Sequence, residues 1–147
     1  MYLSARMPGH VIRRLHQLST HIFLKRVREA GFDLTPVQFA ALDALRHSPG
    51  IDQAGLADAI GKDRATIGAV ADRLAQKGLV TRQINSRDKR ARELALTTEG
   101  AALVAALQPV VEQLQKEILP GLDEAEYEQF IALASKAAHA AGGLHQE

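Results

Sequence analysis

The sequence predicts a mainly α-helical protein with one small β-hairpin near its middle. Two observations support this prediction. Apolar residues recur with the 3.6-residue period of amphipathic helices over most of the chain, and they switch to a period of two only between residues 80 and 96. The hairpin therefore lies between short central helices and longer helices that occupy the two ends.

Length and composition fit one compact domain with additional helices. The chain has 147 residues, of which 46% are hydrophobic, and its formal net charge is +1. It has no cysteine, which excludes disulfides, thiolate zinc sites and thiol-based redox sensing. No apolar run approaches the roughly 18 residues of a membrane span, and arginine and histidine interrupt the N-terminal region, so we expect a cytoplasmic protein without a membrane anchor.

The first two predicted helices are bounded by residues that typically start and stop helices. The first runs from His10 to Ala30 and stops at Gly31. The second starts where Thr35 can cap the helix and Pro36 can occupy its first turn. It stops before the Ser-Pro-Gly sequence at 48–50, which is typical of a turn.

Two shorter helices follow, at residues 53–60 and 64–77, separated by Gly61. We expect Asp63 to cap the second one, because its carboxylate can accept hydrogen bonds from the free backbone N–H groups of the first helical turn. Each helix has one apolar stripe. Two helices joined by a short glycine-containing turn form the minimal helix-turn-helix.

A basic hairpin comes next. Residues 80–84 and 92–96 alternate between apolar and polar side chains, as half-buried strands do. The polar turn between them carries Arg87, Lys89 and Arg90. We therefore predict a positively charged wing beside the helix-turn-helix.

Charge is unevenly distributed along the chain. Residues 62–93 hold nine basic and four acidic side chains, whereas residues 94–147 hold two basic and eight acidic ones. A basic centre beside an acidic tail indicates a binding site for a polyanion, although a solvated charged face would give the same pattern.

Apolar helices at both ends predict self-association. The N-terminal helix, a long helical pattern that ends at Pro120-Gly121 and a last helix from Asp123 to Ala141 carry more apolar surface than a small winged domain needs. We expect them to bury it against a second copy of the chain. The chain thus divides into a helical dimerisation region, residues 1–34 and 97–147, and a winged helix-turn-helix DNA-binding domain, residues 35–96.

Short motifs occur in an order and spacing that point to one family. They are Leu34-Thr35-Pro36-Val37-Gln38-Phe39, Asp63-Arg64-Ala65-Thr66-Ile67, Asp72-Arg73-Leu74, Lys77-Gly78-Leu79-Val80, Asp88-Lys89-Arg90-Ala91 and Leu94-Ala95-Leu96-Thr97-Thr98-Glu99-Gly100. Over about residues 9–141 the chain resembles the MarR-type winged helix-turn-helix transcription regulators. The resemblance implies a homodimer with interlocked terminal helices, in which each winged domain reads one half of a pseudo-palindromic DNA site.

The polar face of the second short helix supplies candidate DNA contacts. Arg64, Thr66, Gly68 and Arg73 lie away from its apolar stripe, and the low bulk of this face suits entry into the major groove. Arg64 could read guanine, and Thr66 could donate to a phosphate or touch a thymine methyl. Arg73 lies further along the helix, so we expect it to bind phosphate or to form a structural ion pair.

The wing supplies the remaining DNA contacts. The resemblance assigns Arg90 to the minor groove, where a guanidinium suits the negative potential. Asp88 is anionic and cannot itself favour DNA, so we expect it to hold a wing arginine in place through a charge-assisted pair, which matches its position in the motif. We expect Arg87 and Lys89 to contact phosphates, with a solvated charged turn as the alternative.

An effector pocket between the dimer helices and the winged domain is implied by the resemblance alone, for phenolic or carboxylate compounds. His10, Arg13 and Arg14 are the candidate ligand-binding residues, because an arginine beside apolar walls can bind a carboxylate with two hydrogen bonds. Exposed or interface side chains would show the same pattern. An aromatic acid or its thioester is the effector class that the family favours.

Neither a metal nor a cofactor is expected. None of the six histidines has another at a spacing of three or four residues, so no two share a helical face as ligands.

Taken together with the resemblance, the sequence predicts a ligand-responsive transcription regulator: a homodimeric repressor released from its operator by a small molecule. An enzyme is not expected, since the chain lacks the G-x-S-x-G, phosphate-loop and H-E-x-x-H motifs. The alternative is a winged-helix module for protein contacts. The basic helix face and wing disfavour it, because a protein-binding surface would be apolar or acidic there.

Overall fold

The structure, a computed structural model, describes residues 2–84, 87 and 92–144, without the side chains of 143 and 144. A short 3-10 helix, Leu3–Arg6, precedes the other elements. These are α1 (Pro8–Glu29), α2 (Pro36–His47), α3 (Gln53–Ile60), α4 (Arg64–Gln76), β1 (Val80–Ile84), β2 (Arg92–Leu96), α5 (Thr98–Ile118) and α6 (Glu124–Leu144). The prediction of a mainly helical fold with one hairpin is confirmed.

Helix boundaries follow from side-chain caps and glycines. Thr35 and Gln38 form a reciprocal capping box at the start of α2, with both hydrogen bonds at 3.2 Å. Asp52 caps α3 by accepting from the amide of Gly55 at 2.7 Å. Gly61 ends α3 in the left-handed region, with φ at 70°, which a residue with a Cβ adopts only with strain.

The hairpin is antiparallel and is attached to the start of α3. Val80 pairs with Leu96 and Ile84 with Arg92. On its other side, β2 is joined to the segment before α3, since the amide of Leu94 donates to the carbonyl of Ile51 at 2.9 Å. The hairpin is therefore fixed to the helix-turn-helix by backbone hydrogen bonds.

One apolar core joins the winged part of the chain to α5. Side chains from α2, α3, α4, β2 and α5 form one buried cluster. Among its members are Leu42, Leu56, Ile67, Leu74, Leu94, Val104 and Leu107, each no more than 1% exposed. The first half of α5 thus belongs physically to the winged core.

The start of α5 is fixed to the end of α4. The hydroxyl of Thr97 donates to the carbonyl of Gly78 at 2.7 Å, and the Thr97 amide donates to the carbonyl of Leu79 at 3.0 Å. The same hydroxyl caps α5 by accepting from the amide of Gly100. A Cβ on Gly100 would overlap the backbone carbonyl of Leu79, so only glycine fits this contact.

The terminal helices leave apolar surface uncovered. On α1, Ile12 is 64% exposed, and on α6, Ile131 and Leu133 are 43% and 57% exposed. Along the described part of α6 only Tyr127 and Phe130 are half-buried, and all its other side chains are exposed.

Candidate DNA-binding surface

Asp63 caps the N-terminus of α4. Its carboxylate accepts from the amide of Thr66 at 2.7 Å and from the hydroxyl of Thr66 at 2.8 Å. These two hydrogen bonds hold the pKa of the Asp63 carboxyl below its usual value. The cap predicted from the sequence is confirmed, and it fixes where the helix begins.

One face of α4 is open to solvent along its length. Ala65, Ala69, Asp72 and Arg73 are exposed at the spacing of a single helical face, beside the exposed Arg64. The opposite face is buried in the core. Because two of the exposed positions are alanines, a nucleic-acid groove could approach the backbone of this helix closely.

The four candidate residues on α4 have different surroundings. Arg64 and Arg73 are exposed, whereas Thr66 and Gly68 are half-buried. The hydroxyl hydrogen of Thr66 is already donated to Asp63, which leaves its methyl group available and makes donation to a phosphate dependent on breaking the cap. A Cβ on Gly68 would meet only Gln53, at 3.9 Å, so steric crowding within the chain does not require glycine here.

Arg82 is a residue of this region that sequence reasoning missed. Its guanidinium extends from β1 to α4, where it pairs with Asp72 at 2.6 Å and donates to the carbonyl of Gly68 at 3.1 Å. Asp72 is adjacent to Arg73 in the sequence, but its carboxylate pairs with Arg82 in the structure. In the alternating apolar and polar pattern of β1, Arg82 lies on the same side as Val80. The sequence could therefore have indicated that the side chain of Arg82 is directed at the core side of the hairpin.

The tip of the wing is described only in part. Arg87 is exposed. Asp88, Lys89 and Arg90 lie outside the described residues, so their roles remain predictions from the sequence.

The candidate effector residues lie near the start of α1. Arg13 contacts the ring of His10, with 3.1 Å between Nη2 and Nδ1. His10 is half-buried, whereas Arg13 and Arg14 are exposed.

Two surface grooves, of about 580 and 490 Å³, lie elsewhere in the chain. The first runs between the end of α1 and Pro109 of α5, and the second lies along α1 around His21 and Arg28. Neither is lined by His10, Arg13 or Arg14.

An ion pair between α1 and α5 occupies the larger groove. The Nε and Nη2 atoms of Arg26 bind the two carboxylate oxygens of Glu117 at 2.8 and 3.0 Å, and Nη1 binds Glu29 at 2.9 Å. The hydrogen bonds with Glu117 raise the pKa of Arg26 and lower the pKa of Glu117. A carboxylate ligand would have to displace one of these glutamates, so this groove is a poor site for an acid.

Among the described residues no group of three or more histidine, aspartate or glutamate side chains could hold a metal ion. No helix in the described part of the chain is long and apolar enough to cross a membrane.

Known proteins resemble this chain in both sequence and fold. The chain is 35% identical to the transcriptional regulator HosA of Escherichia coli O157:H7 over 127 residues, which are 86% of this chain and 91% of HosA. The structure of PcaV from Streptomyces coelicolor with its natural ligand matches with a TM-score of 0.88 at 33% identity, covering 96% of this chain and 98% of PcaV. The structure of BpsR from Bordetella bronchiseptica, whose DNA binding is regulated by 6-hydroxynicotinic acid, matches with a TM-score of 0.86 at 30% identity, covering 94% and 97%.

The family model for the MarR family matches residues 34–91. This segment spans α2, α3 and α4, the helices of the helix-turn-helix, and the first strand of the wing. Together with the relatives that align along nearly the whole chain, it shows that the protein belongs to the MarR family of DNA-binding, winged-helix transcription regulators.

Proposed function

We propose that the protein is a homodimeric repressor that acts in the cytoplasm, binds a pseudo-palindromic operator and leaves it when a small aromatic acid or related carboxylate binds. The observation that supports this most strongly is the exposed, low-bulk face of α4 beside a basic wing. Residues 62–93, which contain both elements, carry a net charge of +5. A helix of this kind can enter the major groove while cations beside it bind phosphates.

Arg64 is the proposed base-reading residue, because it stands exposed at the first turn of α4, the end that enters a major groove in helix-turn-helix proteins. Arg73, Arg87 and Lys89 are the proposed phosphate contacts. Arg90 is proposed for the minor groove, with Asp88 as its partner. Thr66 and Gly68 lie on the same helix as Arg64, and Thr66 would present its methyl group to the DNA.

The dimer is proposed from the uncovered apolar surface of the terminal helices. Ile12 of α1 and Ile131 of α6 are both substantially exposed in the single chain. Monomeric proteins rarely expose whole apolar helix faces, and a second copy would cover them symmetrically. Such a dimer would present two copies of α4 to half-sites about one DNA turn apart.

The effector class is proposed from charge and from a relative. DNA binding by BpsR is regulated by 6-hydroxynicotinic acid, an aromatic carboxylate. In this chain, Arg13 and Arg14 could bind a carboxylate, and His10 lies beside Arg13. Because neither of the two grooves described above is lined by these residues, we propose that the pocket is completed by the second copy.

Fluorescence anisotropy on DNA from upstream of the protein's own gene, against random duplex at the same salt concentration, tests the proposal. We expect tighter, salt-sensitive binding to the upstream DNA and its loss on adding the aromatic acid that acts as effector. Equal binding to both duplexes would argue against an operator at this position. Absence of binding to either would favour a module for protein contacts.

Two variants test the residue roles in the same assay. Arg64→Ala should cost roughly 1–3 kcal/mol on operator and much less on random DNA, since a base contact is sequence-specific. Arg90→Ala should reduce the slope of log affinity against log salt by about one. Lys136→Ala, which removes an exposed cation from α6, is the control that should change neither.

A further inference from the structure

We propose that Arg82 and Asp72 form a positioning pair that fixes the wing relative to α4, and that operator affinity depends on this pair although neither residue contacts DNA. The inference rests on the proposed function and adds residues to it. Arg82 lies on β1, and Asp72 lies two turns into α4.

The contacts of Arg82 span a full turn of α4. One nitrogen, Nη1, pairs with the Asp72 carboxylate at 2.6 Å, and Nη2 donates to the carbonyl of Gly68 at 3.1 Å. Two attachment points four residues apart restrict both the distance and the rotation of the helix relative to the strand. A lysine, with one ammonium group, could not reproduce this planar, two-point contact.

The backbone of Arg82 is itself held in place. It pairs across the hairpin with Leu94, which is 1% exposed and is hydrogen-bonded to the segment before α3. The guanidinium therefore extends from a fixed strand to the DNA-facing helix, and a change in its contacts would alter the angle between wing and helix.

The environment of Arg82 disfavours a direct role in phosphate binding. Its side chain is only 29% exposed, and its charge already faces Asp72. The Nε atom is buried and finds no acceptor among the described residues.

Substitution of Asp72 distinguishes the positioning role from a simple charge effect, because the two predict opposite changes in operator affinity. Its side chain is 60% exposed on the face proposed to meet DNA, where a negative charge repels phosphates. Asp72→Asn makes this surface more positive and, on charge alone, should strengthen DNA binding. If Asp72 instead holds Arg82, the same change should weaken operator binding.

The test measures operator and random-DNA affinity over a salt series for Asp72→Asn, Arg82→Ala, Arg82→Lys and the double variant Arg82→Ala/Asp72→Asn. We expect each single variant to lose about tenfold on operator with an unchanged salt slope, and the double variant to lose no more than Arg82→Ala alone. Arg82→Lys should recover part of the loss. Tighter binding by Asp72→Asn, or a slope reduced by about one in Arg82→Ala, would overturn the proposal.

A measurement without DNA separates this proposal from the proposed function. Amide hydrogen exchange of Asp72→Asn should be faster in β1 and in the second half of α4, with the thermal midpoint nearly unchanged. If the wild type binds no operator but exchange changes as expected, the proposed function and the dependence of operator affinity on the pair both fail, while the positioning of β1 against α4 by this pair stands. Unchanged exchange, or a general loss of stability with equal losses on both duplexes, would contradict the positioning role.

Discussion

The winged part of the chain and its last helix differ in how they bury apolar side chains. Leu56 of α3 and Leu107 of α5 are no more than 1% exposed in the single chain, whereas Ile131 of α6 is 43% exposed. Apolar burial is the main driving force of folding. The winged part therefore has the contacts it needs within one chain, while the last helix has an apolar face that requires a partner.

Hydrogen bonds show the same difference. The winged part is held by contacts between distant elements, such as Thr97 with Gly78. The side-chain bonds at the start of α6 are local: Asp123 and Glu126 cap the helix reciprocally, at 2.8 and 3.0 Å. Local caps determine that α6 is a helix, but they do not determine where it packs.

The largest expected effect concerns the junction between α5 and the winged core. Gly100→Ala should lower the free energy of unfolding by about 3 kcal/mol, because the added methyl overlaps a backbone carbonyl that cannot move independently. Gly68→Ala is the matched control in α4. It has space for the methyl and should raise stability by about 1 kcal/mol through higher helix propensity. Denaturant unfolding measures both, and equal effects would show that the junction is not tightly packed.

The next effect tests the exposed face of α6. Ile131→Glu places a charge on the stripe that also includes Tyr127, Phe130 and Ala134, and it should weaken the dimer at least about 100-fold, since two copies each lose a buried isoleucine. Gln129→Glu adds the same charge on the opposite face of the helix and should leave association nearly unchanged. Sedimentation velocity over a concentration series distinguishes them. An unaffected dimer in Ile131→Glu would remove this stripe from the interface.

The smallest effect concerns the cap of α4. Since the folded-state pKa of Asp63 lies below its unfolded value, the contribution of its charge to stability is complete above the unfolded value of about pH 4 and is lost as the pH falls through the lower folded value. Asp63→Asn keeps a capping oxygen but does not titrate. The wild type should therefore exceed Asp63→Asn in thermal midpoint by a constant amount from neutral pH to about pH 5, and this difference should shrink in more acidic buffer. A difference that grows on acidification would contradict the sign.

Local features of the fold were predictable because their causes are local. The cap at Asp63, the capping residue Thr35 and the break at Gly61 are read from neighbours within four residues, and the structure confirms them. The helix at residues 53–60 is observed with the predicted bounds. Elsewhere α1 begins at Pro8, two residues before the prediction, because a proline can occupy the first turn of a helix.

Contacts between distant elements were not predictable from the pattern. Arg82 with Asp72 and Arg26 with Glu117 join residues from different elements, and nothing in the local sequence selects these partners. The sequence also indicated which face of α4 is polar but not that the hydroxyl of Thr66 donates to Asp63, although these two residues are only three apart. The requirement for Gly100 likewise became explicable only once α5 was seen against Leu79.

The mass of the protein in solution, measured by light scattering at micromolar concentration, tests most directly the central claim that the terminal helices bury their apolar faces against a second copy. We predict a mass twice the 15.9 kDa of one chain. A mass equal to one chain throughout the concentration range would contradict the claim.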